Sequence, residues 1–450
     1  MTSDLIIIGA GPGGYETAVQ AAKAGLRTVV IEANQLGGTC LNVGCIPTKC
    51  LCRNAEFLRD LRQADALNVE LSGFKFRLDE AIKRKDEVVS QLVGGIAGLL
   101  KHPNITLLTG KAEFLSKTTV KVNEEVCEAP NIIIATGSVS KMLPIPGIDL
   151  PCVLTSTEML SLTQLPQRLC IVGGGVIGLE FASIFHSFGS EVTVVEFCKE
   201  ILPQFDADIA KRLRMSLKSQ GINIITGAAV SKISQDGHQQ ATVTYELKGE
   251  EVALETDIVL MAVGRAANVE SLNLSDVGIA FDRRGIQVND FMQTNIDGIY
   301  AIGDINGRCQ LAHAAVFQGK RALHHILGHH QDDGLRLDLI PAAVFTHPEV
   351  ASVGLTTEQA KAAGLNLKAY KGFFRSNGKA LAMAEPEGMV KLLADESGVL
   401  RGAHLYGAHS ADLVHEITTF MQKGGTLSDI ANMVHAHPTL SEVILQAAEA

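Results

Sequence analysis

One pattern occurs twice in this chain and restricts its fold more than any other feature. Residues 5–8 form a continuous apolar run that leads directly into Gly9, Gly11 and Gly14, the spacing G-x-G-x-x-G. A helical stretch over 15–24 follows, then Gly25, then a second apolar run that ends in Glu32. Continuous short apolar runs mark strands buried on both faces, as parallel strands are. In such a unit the first glycine makes the tight turn, the second lets a pyrophosphate approach the backbone, and the third lets helix and strand pack closely. N–H groups at the helix N-terminus then hold the anion. Glu32 stands where a carboxylate accepts hydrogen bonds from a ribose. Strand before, helix after and acid at the end turn a weak motif into a dinucleotide site.

The whole series returns 164 residues later. A strand over 168–172 precedes Gly173, Gly175 and Gly178, with Ile177 in the first helical turn, and a strand over 192–195 ends in Glu196. Two dinucleotide sites in one chain imply two cofactors that exchange electrons, unless one copy is only a fold element. Glu196 repels a 2′-phosphate, which predicts NAD rather than NADP at the second site, with Lys199 as a nearby opposing charge.

Between the two units lies Gly-Gly-Thr-Cys-Leu-Asn-Val-Gly-Cys-Ile-Pro-Thr-Lys, residues 37–49. In a regular helix the Cα atoms of Cys40 and Cys45 would be about 8–9 Å apart, beyond the roughly 4.4–6.8 Å a disulfide needs. If the two are bonded, the backbone between them is not a regular helix, and Gly44 is placed to permit the distortion. A bridge over so short a loop can be strained and easily reduced. The same spacing also suits an inert bridge or two buried thiols.

Composition narrows the class. At 450 residues the chain is long enough for two to four domains. A formal charge of −10 argues against a nucleic-acid partner or a basic membrane patch. Nine cysteines are too few for a secreted disulfide scaffold, and the odd count leaves at least one unpaired. A reducing, cytoplasmic setting is expected, where a disulfide tends to be catalytic. No charged and apolar leader pattern is read before the first strand, so no signal peptide is expected, and the apolar runs are far short of a membrane span.

The rest of the chain supplies further candidates. An amphipathic helix is expected over 79–100, and strands over 105–108, 120–122 and 131–134, the last ending in Ala135, Thr136 and Gly137. Pro144, Pro146 and Gly147 mark a connection. A strand over 257–263 closes the second unit at Gly264. The strand before Gly303 and Asp304 is assigned back to the first domain. Asp304 is either a ligand group or an N-cap to the helix that follows. Histidines 324, 325, 329 and 330 suit a solvated helix end better than a metal site. From about residue 340 the pattern is that of an α+β unit with its own core. It ends in His435-Ala436-His437-Pro438-Thr439-Leu440-Ser441-Glu442. Glu442 is either the N3 residue of a capping box begun by Thr439 or the group that orients His437 as a general base.

Together these motifs resemble the pyridine nucleotide–disulfide oxidoreductase family over nearly the whole length. The resemblance implies an α/β fold with two Rossmann-like dinucleotide-binding domains, for FAD and NAD, and a C-terminal α+β dimerisation domain. Its boundaries would be 1–143 and 269–337 for FAD, 144–268 for NAD and 338–450 for the interface. It implies a redox disulfide between Cys40, which meets a dithiol substrate as the exposed sulfur, and Cys45, which faces the flavin. His437, oriented by Glu442 and contributed by the other subunit of an obligate homodimer, would accept the thiol proton. Lys49, paired with Glu180, would stabilise charge near the flavin. FAD contacts would come from Gly9, Gly11, Gly14, Glu32, Gly38, Thr39, Lys49, Ala135, Thr136, Gly137, Gly303, Asp304, Leu311, Ala312 and His313. NAD contacts would come from Gly173, Gly175, Ile177, Gly178, Glu196 and Gly264. No metal is implied.

Within the family the likeness is to members that oxidise dihydrolipoyl groups with NAD, in the service of a lipoyl-bearing acyltransferase or a glycine-cleavage carrier. Other outcomes are a reductase of a different disulfide or a catalytically silent FAD-binding redox sensor. No cysteine follows Cys309, so a C-terminal cysteine pair is absent. One departure is Ala267 before Asn268, where the family usually has proline. Cys50 and Cys52 are extra thiols without an assigned role.

Overall fold

The computed structural model describes residues 1–236, 240–329 and 333–450. It divides into two compact units, each made of three chain segments: 1–50, 79–141 and 264–337 in the first, and 51–78, 142–263 and 338–450 in the second.

The first unit is built on a parallel five-stranded sheet. The apolar run is β1 (Leu5–Ile8), followed by α1 (Pro12–Lys23) and β2 (Thr28–Glu32). Strand Ile299–Ala301 lies beside Asn131–Ile134, then β1, β2 and Ile105–Thr109 complete the order. Leu5 is in register with Thr28 on one side and Asn131 on the other. Alternate residues enter two separate cores. Ile6, Ile8, Val29, Ile31, Ile132 and Ile134 pack on one face, and Leu5, Ile7, Val30 and Ile133 on the other. This two-sided burial explains why β1 reads as unbroken apolar sequence rather than an alternation. The strand before Gly303 therefore sits in the first sheet, as its sequence position suggested.

The second unit repeats the plan with a parallel sheet in the order Asn223–Thr226, Glu191–Glu196, Arg168–Val172, Ile258–Met261 and Val153–Leu154. It also holds an antiparallel five-stranded sheet, from Ala342–Val344 through Val350–Gly354, Leu400–Gly407 and Gly388–Ala394 to Lys368–Phe373. Helices Ser410–Gln422 and Glu442–Ala448 cover this sheet around an apolar core that includes Val390, Leu405, Ile417 and Ile444. The expected α/β class with a C-terminal α+β portion is what the chain adopts. Among the described residues no helix is long and apolar enough to cross a membrane.

Candidate active site

The two nucleotide cradles are built alike, atom for atom. A Cβ on Gly9 would lie 2.4 Å from the Ala135 carbonyl oxygen, and one on Gly173 would lie 2.4 Å from that of Ala262. A Cβ on Gly14 would meet the Gly9 carbonyl at 1.9 Å, and one on Gly178 would meet that of Gly173 at 2.0 Å. The middle glycines differ in kind. A Cβ on Gly11 would find nothing nearer than Gly38 Cα at 3.9 Å, and one on Gly175 nothing within 4 Å. Each is the N-cap of its helix without a side-chain cap, so the first-turn N–H groups face open space and suit a pyrophosphate. Ile177 lies in that first turn of the second helix.

The two acids also match. Glu32 accepts hydrogen bonds from Ala10 N (2.7 Å) and Asn34 N (2.8 Å). Glu196 accepts from Gly174 N and from Cys198 N (2.6 Å). Backbone amides thus fix both carboxylates at the ends of their strands. These residues fit dinucleotides at both cradles.

The cysteine loop is pinned to the first cradle. Gly37 N donates to Ala10 O at 2.8 Å, and a Cβ on Gly38 would come 2.8 Å from Gly11 Cα. Thr39 is exposed beside them. Helix α2 (Gly38–Val43) then stops, and α3 (Cys45–Arg62) begins. The break is Gly44 at φ −143° and ψ −114°, so the expected departure from a regular helix falls at that residue. A Cβ there would sit 2.8 Å from Thr39 O, so the tight return excludes larger residues. Cys40 and Cys45 are both thiols and share a hydrogen bond. That bond, then burial, pushes the Cys40 thiol well up, while Lys49 opposes the shift.

Cys45 is the exposed sulfur and Cys40 is half-buried. Gly44 sets Cys45 on the first residue of α3, where no preceding turn covers it.

Asp304 is not an N-cap. It lies in a short 3-10 turn, Gly303–Asn306, while the helix after it is Ala312–Ile326 with Leu311 as N-cap. The Asp304 carboxylate accepts a short hydrogen bond from Ser138 Oγ and lies 4.0 Å from Arg265 Nε. Arg265 donates to Ser138 Oγ (2.7 Å) and Ser138 O (2.6 Å). Thr136 Oγ1 donates to Asn268 O at 2.9 Å, and Asn268 N donates to Gly137 O at 3.0 Å. Ala267 pairs with Ser138 in a two-stranded ladder, so the loop closes without the usual proline. Gly264, before this strand, has φ +107°. Ala312 and His313 open their helix, where N–H groups lack intrahelical acceptors.

In the second unit Glu180 is buried and accepts from Phe345 N at 3.0 Å. Cys52 Sγ bonds the carbonyl of the same Phe345 at 3.7 Å. His437 Nδ1 and Glu442 Oε1 are 2.8 Å apart, and Glu442 Oε2 accepts from Thr439 N at 2.8 Å. Thr439 Oγ1 turns back to Ala436 O instead of capping the helix. The helix begins at Glu442 with Ser441 as N-cap, so Glu442 is not the N3 residue of a capping box; one carboxylate oxygen holds Thr439 N–H and the other the imidazole. The carboxylate can only accept, so Nδ1 carries the proton and Nε2 presents the lone pair. His437 is 77% exposed at its side chain.

Sequence reasoning missed the Ser138–Arg265 support of Asp304 and a second imidazole–carboxylate pair, His435 Nε2 with Glu416 at 2.9 Å. The positions of Ser138 directly after Gly137 and of Arg265 directly after Gly264 were the available signals. His325 stacks on Phe291 and bonds Tyr300 OH at 2.8 Å, a packing role. His330 lies outside the described residues. Among the described residues no group of three or more metal-ligating side chains gathers.

Comparison with known proteins agrees with this geometry. Residues 3–319 match the family described as pyridine nucleotide-disulphide oxidoreductase, and residues 340–448 match its dimerisation domain. Dihydrolipoyl dehydrogenase of Chlamydia muridarum is 41% identical, covering 99% of this chain and 96% of the relative. The enzyme of that name from Bacillus subtilis is 40% identical, covering 99% and 97%. Leghemoglobin reductase of Glycine max is 39% identical, covering 100% and 87%. Among solved structures, the HOCl-induced flavoprotein disulfide reductase RclA from Escherichia coli superposes with a TM-score of 0.88 at 32% identity, covering 99% of each chain. The chain belongs to the pyridine nucleotide-disulphide oxidoreductase family, whose cofactors are FAD and NAD.

Proposed function

We propose that this chain is a dihydrolipoyl dehydrogenase, oxidising protein-bound dihydrolipoyl groups to lipoyl with NAD as final acceptor. The observation that carries the reading is the Cys40–Cys45 thiol pair, hydrogen-bonded across the Gly44 break and anchored on the first cradle. Full-length likeness to relatives of that name supports the substrate.

The exchange balances in two steps. A substrate thiolate attacks Cys40 Sγ of the oxidised pair; the Cys40–Cys45 bond breaks, a mixed disulfide forms and Cys45 leaves as thiolate. The second substrate thiolate attacks its own partner sulfur, closes the lipoyl ring and releases Cys40. His437 Nε2 takes a substrate thiol proton, with Glu442 holding Nδ1–H. Bound in the first and second cradles, FAD supplies the two-electron acceptor for the dithiol and NAD the terminal hydride acceptor. Gly9, Gly11, Gly14, Glu32, Gly38, Thr39, Ala135 to Gly137, Gly303, Asp304 and Leu311 to His313 hold the first. Gly173, Gly175, Ile177, Gly178, Glu196 and Gly264 hold the second. Lys49 sets the charge beside Cys45.

His437 acts on the partner subunit's cysteine pair in a homodimer, a role that suits an imidazole so exposed in the single chain. The assembly works in the cytoplasm with a lipoyl-bearing acyltransferase or glycine-cleavage carrier. Rapid mixing of FAD-loaded protein with dihydrolipoamide and NAD tests this. Flavin reduction followed by NADH formation is expected; neither appearing sinks the proposal. A second reading, reduction of another disulfide, draws on the likeness to a disulfide reductase. NADH consumption with a panel of disulfides, faster than with lipoamide, would select it.

A further inference from the structure

A cavity of about 450 Å³ in the first unit is lined by Lys141, Arg265, Arg283, Arg284, Gly307 and Gln310. None of the six is a glycine or terminal acid of either cradle, and Arg265 at the inner end also supports Asp304. Four are cationic, in a chain whose formal charge is −10. Lys141, Arg283 and Arg284, all exposed, form no side-chain ion pair with a described residue; Asp304 lies 4.0 Å from Arg265 Nε, and Asp282 directly precedes the two arginines of the turn. The neighbouring Arg308 is committed elsewhere, to Asp290 and to Val288 O. Four cations against two acids leave the lining net positive, which favours an anion there.

The walls are fixed rather than fortuitous. Arg283 and Arg284 form the turn between the short strands Phe281–Asp282 and Gly285–Ile286. Asp282 Oδ1 accepts Arg284 N at 2.7 Å, which fixes the turn while the carboxylate keeps its charge beside the two arginines. The turn is pressed onto the segment after Asp304. A Cβ on Gly285 would lie 2.2 Å from Ile305 O, and one on Gly307 would lie 2.3 Å from Arg284 O. Both glycines have positive φ, +143° and +66°. Arg265 is held at the inner end by its two hydrogen bonds to Ser138.

We propose that this cavity binds the diphosphate of a nucleoside diphosphate, at a site separate from both dinucleotide cradles. Guanidinium groups match phosphate oxygens in forked pairs, and four cations against Asp282 and Asp304 leave the site net positive. The volume falls in the range of about 300–1,000 Å³ typical of small-molecule sites, more room than a lone phosphate fills. Gln310 offers an amide to the uncharged part of the ligand.

The test is calorimetric titration of the FAD-loaded protein with ADP at low salt, in the presence of saturating NAD. One ADP per chain is expected, displaced by pyrophosphate, weakened by added salt, and weakened about tenfold or more by Arg283→Ala with Arg284→Ala. NADH formation should be unchanged in that variant. Pyrophosphate competition on the unaltered protein keeps the test decisive if the double variant misfolds. The proposal is overturned if FAD-loaded protein binds no ADP, if NAD displaces it, if orthophosphate binds as tightly, or if an acidic peptide binds in its place. The dithiol substrate does not enter the measurement, so its failure leaves the proposed reaction standing, and the converse holds.

Discussion

His437 and Glu442 share one carboxylate with the chain itself: Oε1 meets the imidazole Nδ1 at 2.8 Å while Oε2 takes the Thr439 N–H at the same distance. The backbone bond comes first and the imidazole second in holding the Glu442 carboxyl below the usual carboxylate range. The group that starts the last helix is therefore also the group that aims the base.

That double use separates two variants. Glu442→Gln can be positioned to keep one acceptor for the chain or the ring, but it loses the charge that stabilises a protonated His437. Turnover of dihydrolipoamide should fall roughly 10- to 100-fold, within the usual range for general-base effects, with little change in melting temperature. Glu442→Ala should lower both. Steady-state rates beside thermal melts decide; an equal small effect of Glu442→Gln on both would assign the residue to capping alone.

The cysteines are distinguishable by reactivity. The hydrogen bond with Cys45 is the largest cause of the raised Cys40 thiol, and Lys49 opposes it. Cys45→Ala removes that bond, so Cys40 should be alkylated faster by iodoacetamide at pH 8 than in the reduced parent. Cys40→Ser should retain the long-wavelength absorbance of a thiolate beside bound flavin, and Cys45→Ser should lose it. Equal alkylation rates with and without Cys45 would break the argument.

Gly11 and Gly14 are both glycine for different reasons, and alanine reveals which. Gly11 has φ −70° and an open Cβ direction, so Gly11→Ala should fold normally yet retain FAD poorly. Gly14→Ala drives a Cβ into the Gly9 carbonyl at 1.9 Å, forcing backbone shifts of a kind that cost roughly 1–3 kcal/mol. It should lower the melting temperature even before cofactor is considered. Flavin content and apoprotein melting measured on the two variants check this.

Much of this was legible because the signals are local. Strand, glycine spacing and terminal acid occur within one βαβ unit, so the second cradle could be read with the same rule as the first. The break at Gly44 was foreseen for a bonded pair, and it is present with both cysteines as thiols. What escaped was set by long-range packing. Nothing near Asp304 in sequence announces Ser138, 166 positions away, and Thr439 looked like a helix cap until its hydroxyl was seen bonded to Ala436 O. The same limit applies to Asp206 and Lys391, which are 185 positions apart and paired at 2.7 Å with side chains 0% and 6% exposed.

That pair makes a stability prediction. Burial raises the Asp206 carboxyl, but hydrogen bonds from Lys391 and Thr357 outweigh it and hold the group well below the usual range. Lys391→Met leaves Asp206 buried without its counter-charge, which should cost about 3–5 kcal/mol. Asp206→Asn combined with Lys391→Met should recover a good part of the loss. Denaturant melts of the single and double variants measure the coupling; simple additivity would show that the pair does not act as a unit.

His347 gives the protein a pH dependence with a definite sign. Burial, aided by Arg59, pushes its imidazole down from 6.5 to about 4, and Glu385 Oε1 lies 4.0 Å from its Nε2. The folded state therefore prefers the neutral ring while the unfolded chain protonates near 6.5. The associated stability is complete above pH 6.5 and is lost as pH falls through 4, for a total of about 3 kcal/mol at most. His347→Gln has no such titration. The stability difference between the parent and the variant, followed by urea melts from pH 7.5 to 4, should shift steadily against the parent below pH 6.5. Parallel curves over that range would show that the ring is solvated and protonates freely in the folded state.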